Sequence, residues 1–212
     1  GFSENETATA LGIRRGTVND SGELAAALKA SVAEASKDSG VRIRSAVAGF
    51  SGAGVASSIS RGVIAVARAD GEITAEDVKR VMQAAEALSP KSPNREIIHM
   101  IPRSYGVDHE GGIKDPIGMV GMRLEVDALI IDAQKLALQN LVRAFEAAEV
   151  EVEDWLFSPI AASEVVLSQR QKELGVMLLD IGGGTTDYAI FEEGELVDAG
   201  SIPLGGEHIS HD

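Results

Sequence analysis

The sequence predicts an α/β chain interrupted by a small α+β module. Three observations carry this expectation: helical and strand periodicities alternate at both ends of the 212 residues, composition changes at the turn from Ser51 to Gly54, and a run of three glycines, Gly182 to Gly184, joins two apolar strands near the C-terminus.

Taken in order, Asp20 is placed to cap a helix with Glu23 at the capping-box position, and Leu24, Ala27, Leu28, Val32 and Ala35 recur at helical spacing until Gly40 ends it. Val41 to Phe50 reads as a half-buried strand. A domain boundary falls after residue 52. Within 53–128, Ser57 to Arg68 reads as a strand, Asp70-Gly71 as a turn, and Thr74 as the cap of a helix with Asp77 three residues on. The stripe Val78, Val81, Met82, Ala85 and Leu88 is a core face rather than a ligand box, because helices bury such faces routinely. Pro90 and Pro93 prevent continuation. A strand near Glu96 to Ile101, in which His99 is half buried, a glycine-rich loop from Gly106 to Gly118 and an alternating strand from Met122 to Ile131 complete a strand-helix-strand-strand unit. From 129 to 212 the first pattern resumes. The helical period runs from Asp132 through Leu136, Val142 and Phe145. Val150 to Leu156 is a strand with Trp155 as a core or interface anchor. Ser158-Pro159 opens a helix ending near Lys172, the proline sitting where its missing N–H costs nothing.

Composition narrows the function. Apolar residues make up 44% and charged residues 25%, ordinary for a globular protein, while aromatics at 4% leave the core to Ala, Val, Ile and Leu. A formal net charge of −14 supplies no basic stripe for a nucleic acid or an anionic membrane surface. Zero cysteines exclude disulfides, thiolate metal sites and cysteine nucleophiles, and fit a reducing compartment. No signal peptide or membrane-length apolar run is present, so the chain reads as cytoplasmic. It begins at Gly1 without methionine and stops at Asp212, which reads as a fragment.

The chemistry lies in the stretch from Val176 to Phe191. An apolar strand delivers Asp180 into a turn made by Gly182, Gly183 and Gly184, followed by Thr185, Thr186, Asp187 and a second strand. Residues without a Cβ let backbone N–H groups approach phosphate oxygens and allow positive φ without strain. The two threonines add hydroxyl donors. Asp180 is placed to hold a water of hydrated Mg²⁺, since magnesium keeps much of its water shell. Asp187 either orients the hairpin through backbone N–H groups or reaches a metal-bound water. No Gly-Lys-Ser/Thr follows, which excludes a Walker loop, and a strand rather than a helix follows, which excludes a dinucleotide fingerprint. His208 and His211, beside Glu207, lack a third firm ligand and read as solvent-facing rather than as a metal site.

The pattern Asp-apolar-Gly-Gly-Gly-Thr resembles the second phosphate motif of the actin, sugar kinase and heat-shock-70 superfamily. The segment from Leu204 through Gly205 and Gly206 to Asp212 resembles the Gly-Gly element these proteins place beside the phosphates. A narrower resemblance comes from Ile97 to Asp108, Gly112 to Met119, Gly121 to Leu124, Ala161 to Leu167 and Lys172 to Val176, which together are similar to the bacterial cell division family FtsA from about Leu11 onward.

That resemblance implies an actin-like, ribonuclease H-like subdomain 1A, truncated at both ends and spread over 1–52 and 129–212, with an inserted SHS2-type subdomain 1C over 53–128. It implies that the parent binds ATP and Mg²⁺, self-associates into filaments, tethers FtsZ filaments through a lobe absent here, meets the inner face of the cell membrane at the division site through an absent C-terminal helix, and recruits later division proteins through 1C. The loop from Tyr105 to Gly121 and the strand from Ser57 to Arg68 are its candidate contact surfaces. The isolated chain is expected to hold neither nucleotide nor metal and to show no ATPase activity, because hydrolysis needs both lobes of the cleft; the parent is expected to be a weak ATPase or none. Two other readings remain. PilM, an FtsA-like pilus assembly adaptor, would hold a membrane partner's cytoplasmic peptide between 1A and 1C, though Ile113 to Met119 favours FtsA. A phosphotransferase or chaperone ATPase would use Asp180 and the hairpin for turnover, but an enzyme of the sugar kinase type needs a substrate-facing base outside the phosphate loops, and none is evident.

Overall fold

The computed structural model describes residues 12–208 apart from Arg15, Ala53 and Lys91. His211 and the first ten residues lie outside that span. A two-residue-per-strand hairpin, β1 (Ile13–Arg14) and β2 (Thr17–Val18), precedes α1 (Ser21–Ser39). The Asp20 carboxylate accepts from the Gly22 and Glu23 amides, and Gly40 closes the helix in the left-handed region at φ 69°. β3 (Ser45–Phe50) then leads into β4 (Ala56–Ala65), α2 (Ala75–Leu88), β5 (Arg95–Val107), β6 (Glu110–Ile113) and β7 (Arg123–Gln134). The last block contains α3 (Lys135–Ala147), β8 (Glu151–Phe157), α4 (Ser158–Val166), α5 (Gln169–Leu174), β9 (Val176–Ile181), β10 (Thr186–Glu192) and β11 (Glu195–Ile202).

These strands form three larger sheets: β3 pairs in parallel with β8, the insert orders its strands β4-β7-β5-β6, and the C-terminal meander orders β11-β10-β9. The expected α/β order with an α+β insert is therefore present. Several expectations change in detail. β5 continues past Ile101 through Pro102 to Val107, because β7 pairs with it along its length and a bulge between Pro102 and Ser104 accommodates the missing donor. The glycine-rich stretch from Gly106 contains β6, folded back on β5. The helix expected from Ser158 to Lys172 is two helices, because Ser168 and Gln171 form a fresh capping box that starts α5. The helix expected from Asp132 begins at Lys135, the intervening residues being held in β7.

Two apolar clusters hold the elements together. In the insert, Ile73, Val81, Ala85, Tyr105, Val107, Leu124, Val126 and Ala128 pack α2 onto one sheet face. Thr74 and Asp77 form the full capping box of α2. The Ser60 hydroxyl, buried in that face, donates to the Ala85 carbonyl at 2.7 Å. The second cluster joins all three sheets, with Phe50 from β3, Leu129 and Ile131 from β7, Phe157 from β8, and Ala189 and Phe191 from β10. Trp155 meets Phe50 and Phe145 edge-on at ring-centroid separations of 6.4 and 6.0 Å, as expected of a core anchor.

His99 links the insert to the surrounding sheet. Its Nε2 accepts the Phe157 amide at 2.9 Å, which requires the ring to be neutral there. Burial pushes its pKa down, and Asp154 opposes that shift. A group whose folded pKa lies below its unfolded value contributes full stability above the unfolded value of 6.5, and loses it as the pH falls through 6.5 towards the lower folded value. The acid limb of a urea-unfolding series between about pH 7 and pH 5 should flatten in His99→Gln, which keeps an acceptor but cannot titrate in that window. An unchanged limb in that variant would exclude His99 as its source.

Candidate phosphate-binding site

The meander places the motif residues at one end. β9 carries Asp180 to the turn, and β10 leaves it with Asp187 directly opposite Asp180 and Thr186 opposite Ile181. The turn is closed by the Gly182 amide donating to the Thr185 carbonyl at 2.9 Å. The Gly-Gly segment sits on this turn. The Gly206 amide donates to the Gly182 carbonyl at 2.9 Å and the Glu207 amide to the Gly183 carbonyl at 2.8 Å, while the Thr186 hydroxyl donates to the Leu204 carbonyl at 2.8 Å. Residues Gly206–His208 form a single 3₁₀ turn whose start is held by the Gly205 amide donating to His208 Nδ1 at 3.1 Å.

The close approach that demands glycine lies at Gly205, and none of the three turn glycines is required for positive φ. Gly182, Gly183 and Gly184 all lie outside the left-handed region, contrary to the sequence expectation. At Gly205 a Cβ would stand 2.5 Å from the carbonyl oxygens of both Gly182 and Gly183, so only glycine lets the two backbones touch. At Gly183 an added Cβ would meet nothing nearer than the Glu207 Oε1 at 3.5 Å, leaving that side of the turn open. Among the described residues, the amides of Gly183 and Gly184 donate to no protein group. With the Thr185 amide, which likewise has no acceptor among the described residues, they are the available donors of the turn.

The side chains divide into two groups. Asp180 is exposed beside the turn. Thr186 spends its hydroxyl on Leu204 and Thr185 is buried, so both hold the frame of the turn. Asp187, on the same sheet face as Asp180, is 3% exposed, with Oδ1 buried and without a hydrogen-bond partner. Burial raises its pKa, Ser201 and the Gly52 amide pull it back, and Asp180 raises it again. It is therefore an internal residue that ties the meander to the end of β3. His208 uses its ring on Gly205, which gives it a structural role. Among the described residues no cluster of three or more His, Cys, Asp or Glu side chains is disposed to hold a metal ion by itself. A hydrated Mg²⁺ arriving with phosphate would meet the Asp180 carboxylate, and the chemistry it supplies is charge neutralisation on the phosphates. Sequence reasoning missed two contributors, β11, which flanks Asp187 with Ser201, and Glu207, whose carboxylate stands over Gly183. The turn Glu193-Gly194 between apolar strands was the available signal for β11.

Comparison with known proteins agrees with this architecture. A model of the SHS2 domain inserted in FtsA matches residues 52–132, and a model of cell division protein FtsA matches 177–212. The cell division protein FtsA of Bacillus subtilis (strain 168) is 39% identical over 202 residues, covering 95% of this chain and 46% of that protein. The FtsA of Pseudomonas aeruginosa is 34% identical over 201 residues, covering 95% and 48%, and that of Escherichia coli (strain K12) is 30% identical over 201 residues, covering 95% and 47%. This chain spans about half the length of these relatives. Among solved structures, a PilM-PilN type IV pilus biogenesis complex superposes with a TM-score of 0.60 at 16% identity, over 96% of this chain and 54% of that one, a likeness of fold. With FtsA-specific patterns matched both in the insert and across the phosphate hairpin, and with FtsA proteins similar along nearly the whole chain, the chain belongs to the FtsA family of cell division proteins.

Proposed function

We propose that the chain supplies the second phosphate-binding hairpin and the self-assembly insert of an ATP-binding, actin-like cell division protein. The observation that carries this reading is the pair of unpaired amides at Gly183 and Gly184, framed by the Gly205-Gly206 segment and flanked by exposed Asp180. Two successive amides left without a protein acceptor at an open turn suit a phosphate oxygen. Asp180 and Glu207 add negative charge at the same place, so phosphate must arrive with a divalent cation. The frame of the site is then Thr185, Thr186, Gly182, Gly205, Gly206 and Asp187, and the contacting groups are Gly183, Gly184 and Asp180. In this reading residues 1–52 and 129–212 belong to subdomain 1A and 53–128 to 1C. Self-association and recruitment of later division proteins fall to 1C, while FtsZ and membrane attachment fall to parts of the parent outside this chain. The protein works at the division site on the inner face of the membrane.

The test is the Mg²⁺ dependence of ATP binding in a chain extended at both ends to the length of its relatives. Asp180→Asn should remove most of the gain in affinity that Mg²⁺ gives, about tenfold for a lost charge-assisted contact, and leave the Mg²⁺-free affinity unchanged or raised. An undiminished Mg²⁺ effect in Asp180→Asn would assign the cation elsewhere.

A further inference from the structure

The C-terminal meander is apolar on both faces. Alternate residues of a strand point to opposite sides, and one side here, with Ala189, Phe191, Leu196 and Ala199, is buried in the cluster that joins the sheets. On the other side Met177, Leu179 and Ile181 of β9 are 52, 53 and 65% exposed. Strand pairing sets Ile190 and Tyr188 of β10 beside Met177 and Leu179, and Ile202 of β11 in the same row as Ile181. The one charged side chain in these rows, Asp198, accepts from the Ser57 hydroxyl of β4. A water-facing side looks different in the same molecule: the insert's sheet, on the side away from α2, carries the Arg61–Asp127 and Arg123–Glu125 ion pairs. A strand that is apolar on successive residues, as β9 is from Val176 to Leu179, belongs to a sheet buried on both faces.

We infer that the open face of the meander is a docking surface for the parent's own polypeptide, the segment that follows residue 212, which folds back over Met177, Leu179, Ile181 and Ile202 with an apolar side of its own. Three observations select this occupant. The FtsA relatives are about twice as long as this chain, so the parent holds a comparable length of polypeptide outside it. The last described residues, Gly206–His208, are seated on the Gly182–Gly183 turn, at the same end of the sheet as Ile181 and Ile202, so the chain leaves β11 beside the open face. A second copy would bring another formal charge of −14 against the first, which disfavours face-to-face pairing. Among the described residues β9 pairs with β10 alone, so the docked segment also holds this edge strand, and the phosphate turn that follows it, in place.

The chain has no cysteines, so single introduced thiols report the face. Leu179→Cys, with Met177→Cys as a second position, is labelled with a soluble maleimide in three folded forms: the chain as given, the chain extended at its C-terminal end, and the chain extended at its N-terminal end. Ala189→Cys, fully buried on the opposite face of β10, and Lys79→Cys, exposed on α2, set the slow and fast limits. The outer-face thiols should react near the fast limit in the chain as given, and at least about 100-fold more slowly with the C-terminal extension. Equally fast labelling with that extension would overturn the docking surface, as would protection given by the N-terminal extension in its absence. Protection in the chain as given that grows with protein concentration would assign the face to a second copy and overturn it too. Fast labelling of Ala189→Cys in the chain as given would remove the two-sided burial from which the surface is inferred. No nucleotide is present in the labelling, so its outcome is independent of the phosphate site.

Discussion

Gly62→Ala should destabilise the insert by about 3 kcal/mol, at the upper end of what one added methyl group costs in a packed core. The reason is geometric. A Cβ on Gly62 would stand 2.1 Å from the Val81 carbonyl oxygen and 2.7 Å from the Ala85 amide nitrogen, both backbone atoms of α2. A side chain can rotate away from such a contact, but a helix must lift as a body. α2 is held at its start by the Thr74 and Asp77 capping box and near its end by the Ser60 hydroxyl on the Ala85 carbonyl. Lifting it opens the cluster around Val81 and Ala85, both fully buried. Urea unfolding followed by circular dichroism measures the loss. Gly111→Ala is the control, because nothing lies within 4 Å of a Cβ there. Equal midpoints for the two variants would mean that α2 does not pack against β4 as described.

Gly183→Val should lower ATP affinity about 100-fold or more in the extended chain while leaving its stability nearly unchanged. The valine finds room in the fold, since the nearest atom to an added Cβ is the mobile Glu207 carboxylate at 3.5 Å. It fills the open side of the turn beside the unpaired Gly183 and Gly184 amides. Losing two hydrogen bonds to a charged phosphate costs on the order of 3 kcal/mol or more, which sets the expected factor. Gly205→Ala separates site from frame. It forces the Gly-Gly segment off the turn and should lower both affinity and stability. Native affinity in Gly183→Val would mean that phosphate binds elsewhere.

Much of the fold follows from local rules that act over a few residues. The caps at Asp20, Gly40 and Thr74 form as read, and a helix starts at Ser158-Pro159, though no side chain caps it. The features that escaped depend on partners distant in sequence. Pro102 reads as a strand end, yet β5 continues because β7 offers pairing on the far side of a bulge. Glycine-rich residues around Gly111 and Gly112 read as a loop, yet β6 forms by folding back on β5. At the candidate site the motif residues were legible as a group, but their division of labour was not. Two threonines beside a glycine turn suggest ligand donors, and only the seating of Leu204 on Thr186 shows a hydroxyl already engaged. The three glycines likewise suggest positive φ, which none of them adopts, and the position that only glycine can fill is Gly205, where its backbone meets the turn. The sequence left Asp187 between orienting the hairpin and reaching a metal-bound water, and its burial opposite exposed Asp180 depends on strand pairing that the sequence does not display.

The central claim, that this chain contributes one face of an ATP site, is tested most directly by titrating fluorescent ATP with Mg²⁺ into the chain as given and, in parallel, into the chain extended at both ends. Saturable binding by the extended chain, abolished or strongly weakened by Gly183→Val, and little or none by the shorter chain, is the expected result. No binding by the extended chain, or tight binding by the shorter one alone, would contradict it.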